Sequence, residues 1–260
     1  MRVLLSLTCL LLAAPVAAQT GAVHRSFADE ASFAAGTVAW GVTAPLRWSP
    51  HTWLGIGAGA LGLAAASTLD AGMRDVVQRN RTGFVDGVAR DVKPFGREGS
   101  AVALGVFLVA AIGFGDERAQ AVAFDGIAAS ALASGLLVPA LQAAIGRSRP
   151  WHERGAHAFK AFSGRHSLPS GHTAQAFVTA SVIAAHYDAV WADITAWGLA
   201  SAVGLSRMVH DAHHLTDVVA GAAIGTLVGR SVVRHSAGSR AAPRITPAVG
   251  QGSFGIEVRF

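Results

Sequence analysis

Six apolar stretches, at 53–69, 100–115, 121–145, 172–187, 189–206 and 215–233, constrain the fold more than any other feature of this sequence. Most are at or below the ~20 residues that one straight helical span of a bilayer needs. As a set they predict an all-α architecture: a six-helix, transmembrane bundle. The composition agrees, because only 14% of residues are charged, against about 25% in an average soluble domain. A soluble bundle with fully buried helices is the alternative. Small residues at helical spacing predict close helix contact in either case. Gly55 and Gly59 form one such pair, and Gly221, Gly225 and Gly229 a longer row. Asp125 and Asp193 fall in or beside apolar stretches and are expected to face the bundle interior or a helix end.

The flanks differ in character. Residues 1–18, with one Arg, an apolar run and Val16-Ala17-Ala18 before Gln19, have the pattern of a signal peptide with a small-residue cleavage site. An uncleaved first helix is the other reading. The single cysteine, Cys9, lies inside this segment, so a mature chain would have no disulfide and no thiolate ligand. Residues 19–52, with Trp48 inside and Trp53 just beyond, read either as an N-terminal interfacial segment or as a loop with buried aromatics. The domain proper is then 53–235. Within it, the charged segment 70–99 reads as an interfacial helix followed by a loop. The tail, 236–260, alternates Phe254, Ile256, Val258 and Phe260 after Gly250-Gln251-Gly252 and reads as a short β-hairpin appended to the bundle. The net charge of +5 is not gathered into one run interleaved with aromatic residues, so no nucleic-acid partner is expected.

Polar clusters interrupt the apolar stretches at three places. Arg147, Arg149 and Pro150 follow the third stretch, Ser170, Gly171 and His172 open the fourth, and Arg207, His210, His213, His214 and Asp217 lie between the fifth and sixth. Alternating helix directions bring all three to one end of the bundle. A helix N-terminus suits phosphate, and arginine adds charged forks for its oxygens. His213 and Asp217 stand four apart, as a carboxylate orienting an imidazole would. His210 and His214 are also four apart, as two metal ligands would be. Each residue has a plainer reading: Arg149-Pro150 as a helix stop, Ser170 and Asp217 as caps, and the histidines as satisfied interior groups.

Pro169-Ser170-Gly171-His172, and Ser206-Arg207 followed by His213 and Asp217, resemble the second and third motifs of the type 2 phosphatidic acid phosphatase (PAP2) family, related to vanadium haloperoxidases. Gly146-Arg147-Ser148-Arg149-Pro150 fits the first motif in part; the lysine of that motif would fall at Gln142. The resemblance runs from about residue 100 to 233. It implies a PAP2-type bundle and a phosphatase that uses no metal or other cofactor. It further implies His213 as nucleophile, Asp217 as its orienting partner and His172 as general acid. Arg149, Arg207, Ser170, the Gly171 amide and Gln142 would bind the phosphate, with Arg147 near enough in sequence to compensate for the missing lysine. His210 is then a helix-end residue, and His214 a neighbour that lines the site.

The expected reaction is hydrolysis of a lipid phosphate or pyrophosphate, in a bacterial-type inner membrane, with a lipid substrate and the membrane as partners. The competing expectations are a soluble secreted or periplasmic acid phosphatase of the same superfamily, a vanadate haloperoxidase, a non-catalytic lipid-binding protein and a zinc hydrolase built on His210 and His214. If all six stretches span, both chain ends are extracytoplasmic and the site is cytoplasmic, as the six basic residues of 70–99 suggest. A first stretch that only dips into the membrane reverses this.

Overall fold

The computed structural model describes residues 26–241, together with the backbone of 244–250 and 253–259. The signal-peptide expectation for 1–18 lies outside the described residues. Within 19–52, Phe27–Val42 form helix α1, which starts where Ser26 caps the Asp29 N–H and where Asp29 and Glu30 meet the positive helix end. Pro50 opens α2 (Pro50–Ala66) behind the Ser49 cap. The charged segment is more helical than expected. Its sequence forms α3 (Asp70–Arg79), α4 (Gly83–Val92) and a 3₁₀ turn, Lys93–Gly96, ahead of α5 (Glu98–Phe114). A continuous helix α6 runs from Glu117 to Ile145 through a π-helical stretch, Ala131–Leu137. Then come α7 (Gly171–His186), α8 (Val190–Val209) and α9 (Leu215–Ala241). Beyond α9, Arg244–Gly250 and Ser253–Arg259 pair antiparallel; residues 251–252, where a turn was expected, lie outside the described residues.

The architecture is all-α over the bundle, but six is not the number of its helices or of its spans. Among the described residues three helices are long and apolar enough to cross a membrane: Pro50–Arg79, Glu117–Ile145 and Leu215–Arg240. A fourth span is possible only if Gly83–Gly96 and Glu98–Phe114, bent by 50°, act as one. The sixteen residues of α7 rise about 24 Å, short of a ~30 Å hydrocarbon core. Asp193 and Arg207 dilute the apolar character of α8.

The two glycine patterns behave differently. A methyl group on Gly221 would lie 2.5 Å from the Ser170 carbonyl oxygen, and methyls on Gly225 and Gly229 would collide with the Ala174 carbonyl and with Ser181. This row lets α9 lie directly against α7. Gly55 and Gly59 meet nothing within 4 Å, and no residue of α2 is buried. The expected close contact there does not form. Asp125 is buried, where its carboxylate accepts from Arg240 (2.9 and 3.0 Å) and lies 2.9 Å from His186 Nε2, while Arg240 also reaches Glu30 of α1. Asp193 sits in the exposed first turn of α8.

Candidate active site

The site begins where α6 stops. Gly146 has φ +59°, and a Cβ there would run into the Lys160 carbonyl, so glycine alone fits the turn. Ser148 N–H donates to Ala158 O and Lys160 N–H to Gly146 O, each at 2.9 Å. These bonds fold the 147–169 loop back over the bundle end and deliver Ser167 to the start of α9.

A buried charge web forms beneath it. Arg147, 1% exposed, donates to Asp217 Oδ1 (2.7 Å), Thr216 Oγ1 (2.8 Å), Asp70 Oδ2 (2.6 Å) and the Ala156 carbonyl. Its donors are all directed inward, so Arg147 does not compensate for a missing phosphate-binding lysine. Asp217 is fully buried and uses Oδ2 to accept from Ser167 Oγ (2.6 Å) and the His214 N–H (2.9 Å). His213 Nδ1 lies 2.8 Å from the Ser167 carbonyl and 3.6 Å from Asp217 Oδ2. The carbonyl therefore takes the Nδ1 proton and leaves Nε2 with a free lone pair. Asp217 acts on His213 through Ser167 and by charge rather than by a direct hydrogen bond. Burial pushes the His213 imidazole below its usual range, and Asp217 opposes that shift.

Around His213 sits a second set of groups that is not satisfied internally. Arg207 is 5% exposed, yet its Nε and Nη1 are buried with no partner among the described residues. Arg149 stacks 4.7 Å above Trp151 and makes two long contacts, 3.4 Å, to the His166 carbonyl. The two guanidinium groups repel each other. Buried, unpaired charge of one sign is costly unless a counter-ion arrives. Ser170 stands at the N-cap position of α7 without capping a helix N–H; its hydroxyl accepts from Thr173 Oγ1 (2.9 Å), which leaves the Ser170 proton free to donate. Gly171 is the first residue of α7, where the N–H has no intrahelical acceptor. Ser170 N–H donates to the Asp217 carbonyl (2.9 Å) and fixes the two helix starts to each other.

His172 follows, its Cβ 2.9 Å from where a Cβ on residue 96 would lie, so Gly96 leaves it room. Burial first, then Arg207, pushes the His172 pKa down to about 3. Gln142 donates through Nε2 to the Pro169 carbonyl (2.8 Å), so its amide supports the Ser170 turn from below. His210 caps α8 and binds the Ser206 carbonyl through Nδ1 (2.6 Å), whereas both ring nitrogens of His214 are buried and without a partner. Among the described residues no three His, Cys, Asp or Glu side chains are disposed to hold a metal ion.

Sequence reasoning missed Asp70, Ser167 and the charges of Lys93 and Arg97, which bear on His172. Lys93 and Arg97 had a visible signal, the basic character of 70–99. Asp70 had none, since nothing local links position 70 to 147 or 216.

A PAP2 superfamily profile matches residues 126–240. The chain is 43% identical over 65 residues to the lipid A 1-phosphatase of Porphyromonas gingivalis, a stretch that is 24% of this chain and 15% of that protein. It is 38% identical over 100 residues to the lipid A 1-phosphatase of Rhizobium etli, covering 35% of this chain and 41% of that protein. The chain thus spans less than half the length of these curated relatives. The fold is similar to the crystal structure of a transmembrane PAP2-type phosphatidylglycerolphosphate phosphatase from Bacillus subtilis, with a TM-score of 0.53 and 21% identity over 71% of this chain and 96% of that one. Residues 126–240, the part of the chain that contains α7, α8 and α9, thus match the PAP2 superfamily.

Proposed function

We propose that the protein is a membrane-bound, metal-independent phosphatase that removes phosphate from a lipid, with a lipid A 1-phosphate as the first substrate class to test. One observation carries the reading: the Nε and Nη1 donors of Arg207 are buried and unpartnered next to His213. They form a preorganised anion site facing an imidazole whose Nδ1 is fixed. The lipid A 1-phosphatase relatives support the substrate class. The unburied apolar helix α2 supports residence in a membrane, which we take to be a bacterial-type inner membrane.

In this mechanism His213 Nε2 attacks phosphorus and forms an N–P bond as the P–O bond to the lipid breaks. The departing oxygen takes a proton from His172. Water then attacks phosphorus while His172 accepts its proton, the N–P bond breaks and inorganic phosphate leaves. Arg149, Arg207, Ser170 Oγ and the Gly171 N–H hold the phosphate oxygens throughout. Burial and the Arg207 charge hold the free His172 toward its neutral form. The incoming phosphate offsets the Arg207 charge that depresses it, and a monoanion brings its own proton.

The test is phosphate release by the purified, detergent-solubilised protein in EDTA. Lipid A, phosphatidate, undecaprenyl pyrophosphate and a soluble phosphomonoester are each compared with His213→Ala. The expected result is release that survives EDTA, favours the lipids and disappears in the variant. Release by His213→Ala at the wild-type rate refutes the mechanism, and preference for the soluble ester refutes the substrate class.

A further inference from the structure

Helix α3 lies outside the matched family region, but its polar side chains reach into the site. Asp70, Arg74 and Gln78 stand at successive four-residue steps and so form one stripe. Each grips a different point of the 208–216 segment that carries His213. Asp70, fully buried, accepts the Thr216 N–H through Oδ1 (2.9 Å) and the Thr216 hydroxyl through Oδ2 (2.6 Å), besides Arg147. Arg74 forms a two-pronged pair with Asp211, at 2.7 and 2.6 Å. Gln78 Nε2 donates to the Met208 carbonyl (3.0 Å). Asp211 has φ +54°, a left-handed conformation that is strained for any residue with a Cβ. Arg74 is the partner that holds it there, and the Asp211 carbonyl in turn accepts from Trp151 N–H, 3.3 Å away and beside Arg149.

We propose that α3 is a positioning clasp for the His213 loop, with Asp70 and Arg74 as positioning residues of the reaction. A rigid helix gripping the segment on both sides of His213 sets where Nε2 stands relative to the Arg149–Arg207 anion site. The inference rests on the reading of His213 as nucleophile. It is not needed for phosphate binding, because no α3 side chain belongs to the anion site.

The test compares Asp70→Asn, Arg74→Ala and Arg74→Ala/Asp211→Gly with wild type and His213→Ala. The readouts are kcat and KM for lipid phosphate hydrolysis, and the inhibition constant of inorganic phosphate. Since a misplacement of about 1 Å can cost about 100-fold in rate, Asp70→Asn and Arg74→Ala are expected to lower kcat by about 10- to 100-fold, with KM and the phosphate constant within about twofold. Arg74 is partly exposed, so its variant tests the idea even if Asp70→Asn fails to fold. Glycine adopts φ +54° without strain, so Arg74→Ala/Asp211→Gly is expected to recover activity that Arg74→Ala/Asp211→Ala does not. Wild-type kcat in Asp70→Asn and Arg74→Ala, beside an inactive His213→Ala, overturns the clasp and leaves the phosphatase reading standing. An active His213→Ala overturns the reading itself.

Discussion

Gly221→Ala is a demanding test of how the site is built. The new methyl would lie 2.5 Å from the Ser170 carbonyl oxygen and 3.2 Å from Ala174 N. Both neighbours are backbone, so no side-chain rotation relieves the contact. Restoring ordinary van der Waals separation moves the start of α7 away from α9 by about 1 Å. Overpacking of this kind costs about 1–3 kcal/mol, and the better helix propensity of alanine returns about 1 kcal/mol. The net loss of stability is therefore about 0–2 kcal/mol, or roughly 0–8 °C in Tm for a protein of this size. The catalytic consequence is larger. The displaced turn carries Ser170, Gly171 and His172 and is tied to Asp217 through the Ser170 N–H. A 1 Å error there is expected to lower kcat by about 100-fold. The assay is thermal unfolding in detergent alongside phosphate release, with Gly238→Ala as control. Gly238 lies on the same helix with nothing within 4 Å and predicts unchanged activity and unchanged or slightly raised Tm. Wild-type activity in Gly221→Ala, or equal losses in the two variants, would show that α7 and α9 are not packed as described.

Gln142→Ala removes the donor to the Pro169 carbonyl and is expected to cost about 1 kcal/mol of stability with a severalfold fall in kcat; an unchanged kcat would mean that the Ser170 turn holds itself. Because burial holds His213 below its usual pKa, the neutral form that the proposed mechanism uses persists below pH 6.5, and the acid limb it would set in kcat/KM is expected below that value. A limb at pH 7 or above, absent from a His172 variant's profile only, would assign it elsewhere. The same burial acts on His214. Both are held toward the neutral form when folded and take up protons on unfolding below pH 6.5, so they contribute nothing above that pH and destabilise the fold as pH falls through it. Tm should therefore fall between pH 7 and 5.5, and a rise would contradict their burial as neutral groups.

The parts of the site that were legible from sequence share a property: their chemistry sits in short runs. Pro169 to His172 announces a helix start, and Arg207, His213 and Asp217 lie within one helix end and the next. Alternating helix direction was enough to bring these runs together. Partners joined only by the fold were not legible. Arg147 looked like a spare phosphate ligand because its sequence neighbours are Arg149 and Pro150. The residues that occupy it, Asp70 and Asp217, are 77 and 70 positions away. Glycine spacing has the same weakness. Gly55/Gly59 and Gly221/Gly225 show one pattern, and only the second meets a helix, because spacing fixes a face of a helix but not what lies opposite it. The number of spans was over-read for a related reason: apolar residues in α7 and α8 face other helices of the bundle as well as its surroundings, and composition alone does not separate the two uses.

The two charge layers of the site differ in what they require, and this gives a direct test of which is which. In the lower layer Arg147 is neutralised by Asp70 and Asp217, and its donors are occupied. In the upper layer Arg149 and Arg207 repel each other and neither forms an ion pair among the described residues, where Arg207 also retains two buried donors without a partner. An anion that binds the folded protein alone must stabilise it, by about 2.7 kcal/mol at a concentration 100 times its Kd. Inorganic phosphate is therefore expected to raise Tm in a saturable way, with chloride at equal ionic strength as control. Arg207→Ala is expected to abolish the effect while raising the basal Tm or leaving it unchanged, because it removes a repulsive, unpaired charge. Arg147→Ala is expected to do the opposite: it lowers basal Tm by leaving two buried carboxylates unpaired, a loss of about 3–5 kcal/mol for breaking a buried pair, yet folded protein still responds to phosphate. If Arg207→Ala keeps the phosphate response, the unsatisfied guanidinium is not the anion site, and the argument from its free donors fails.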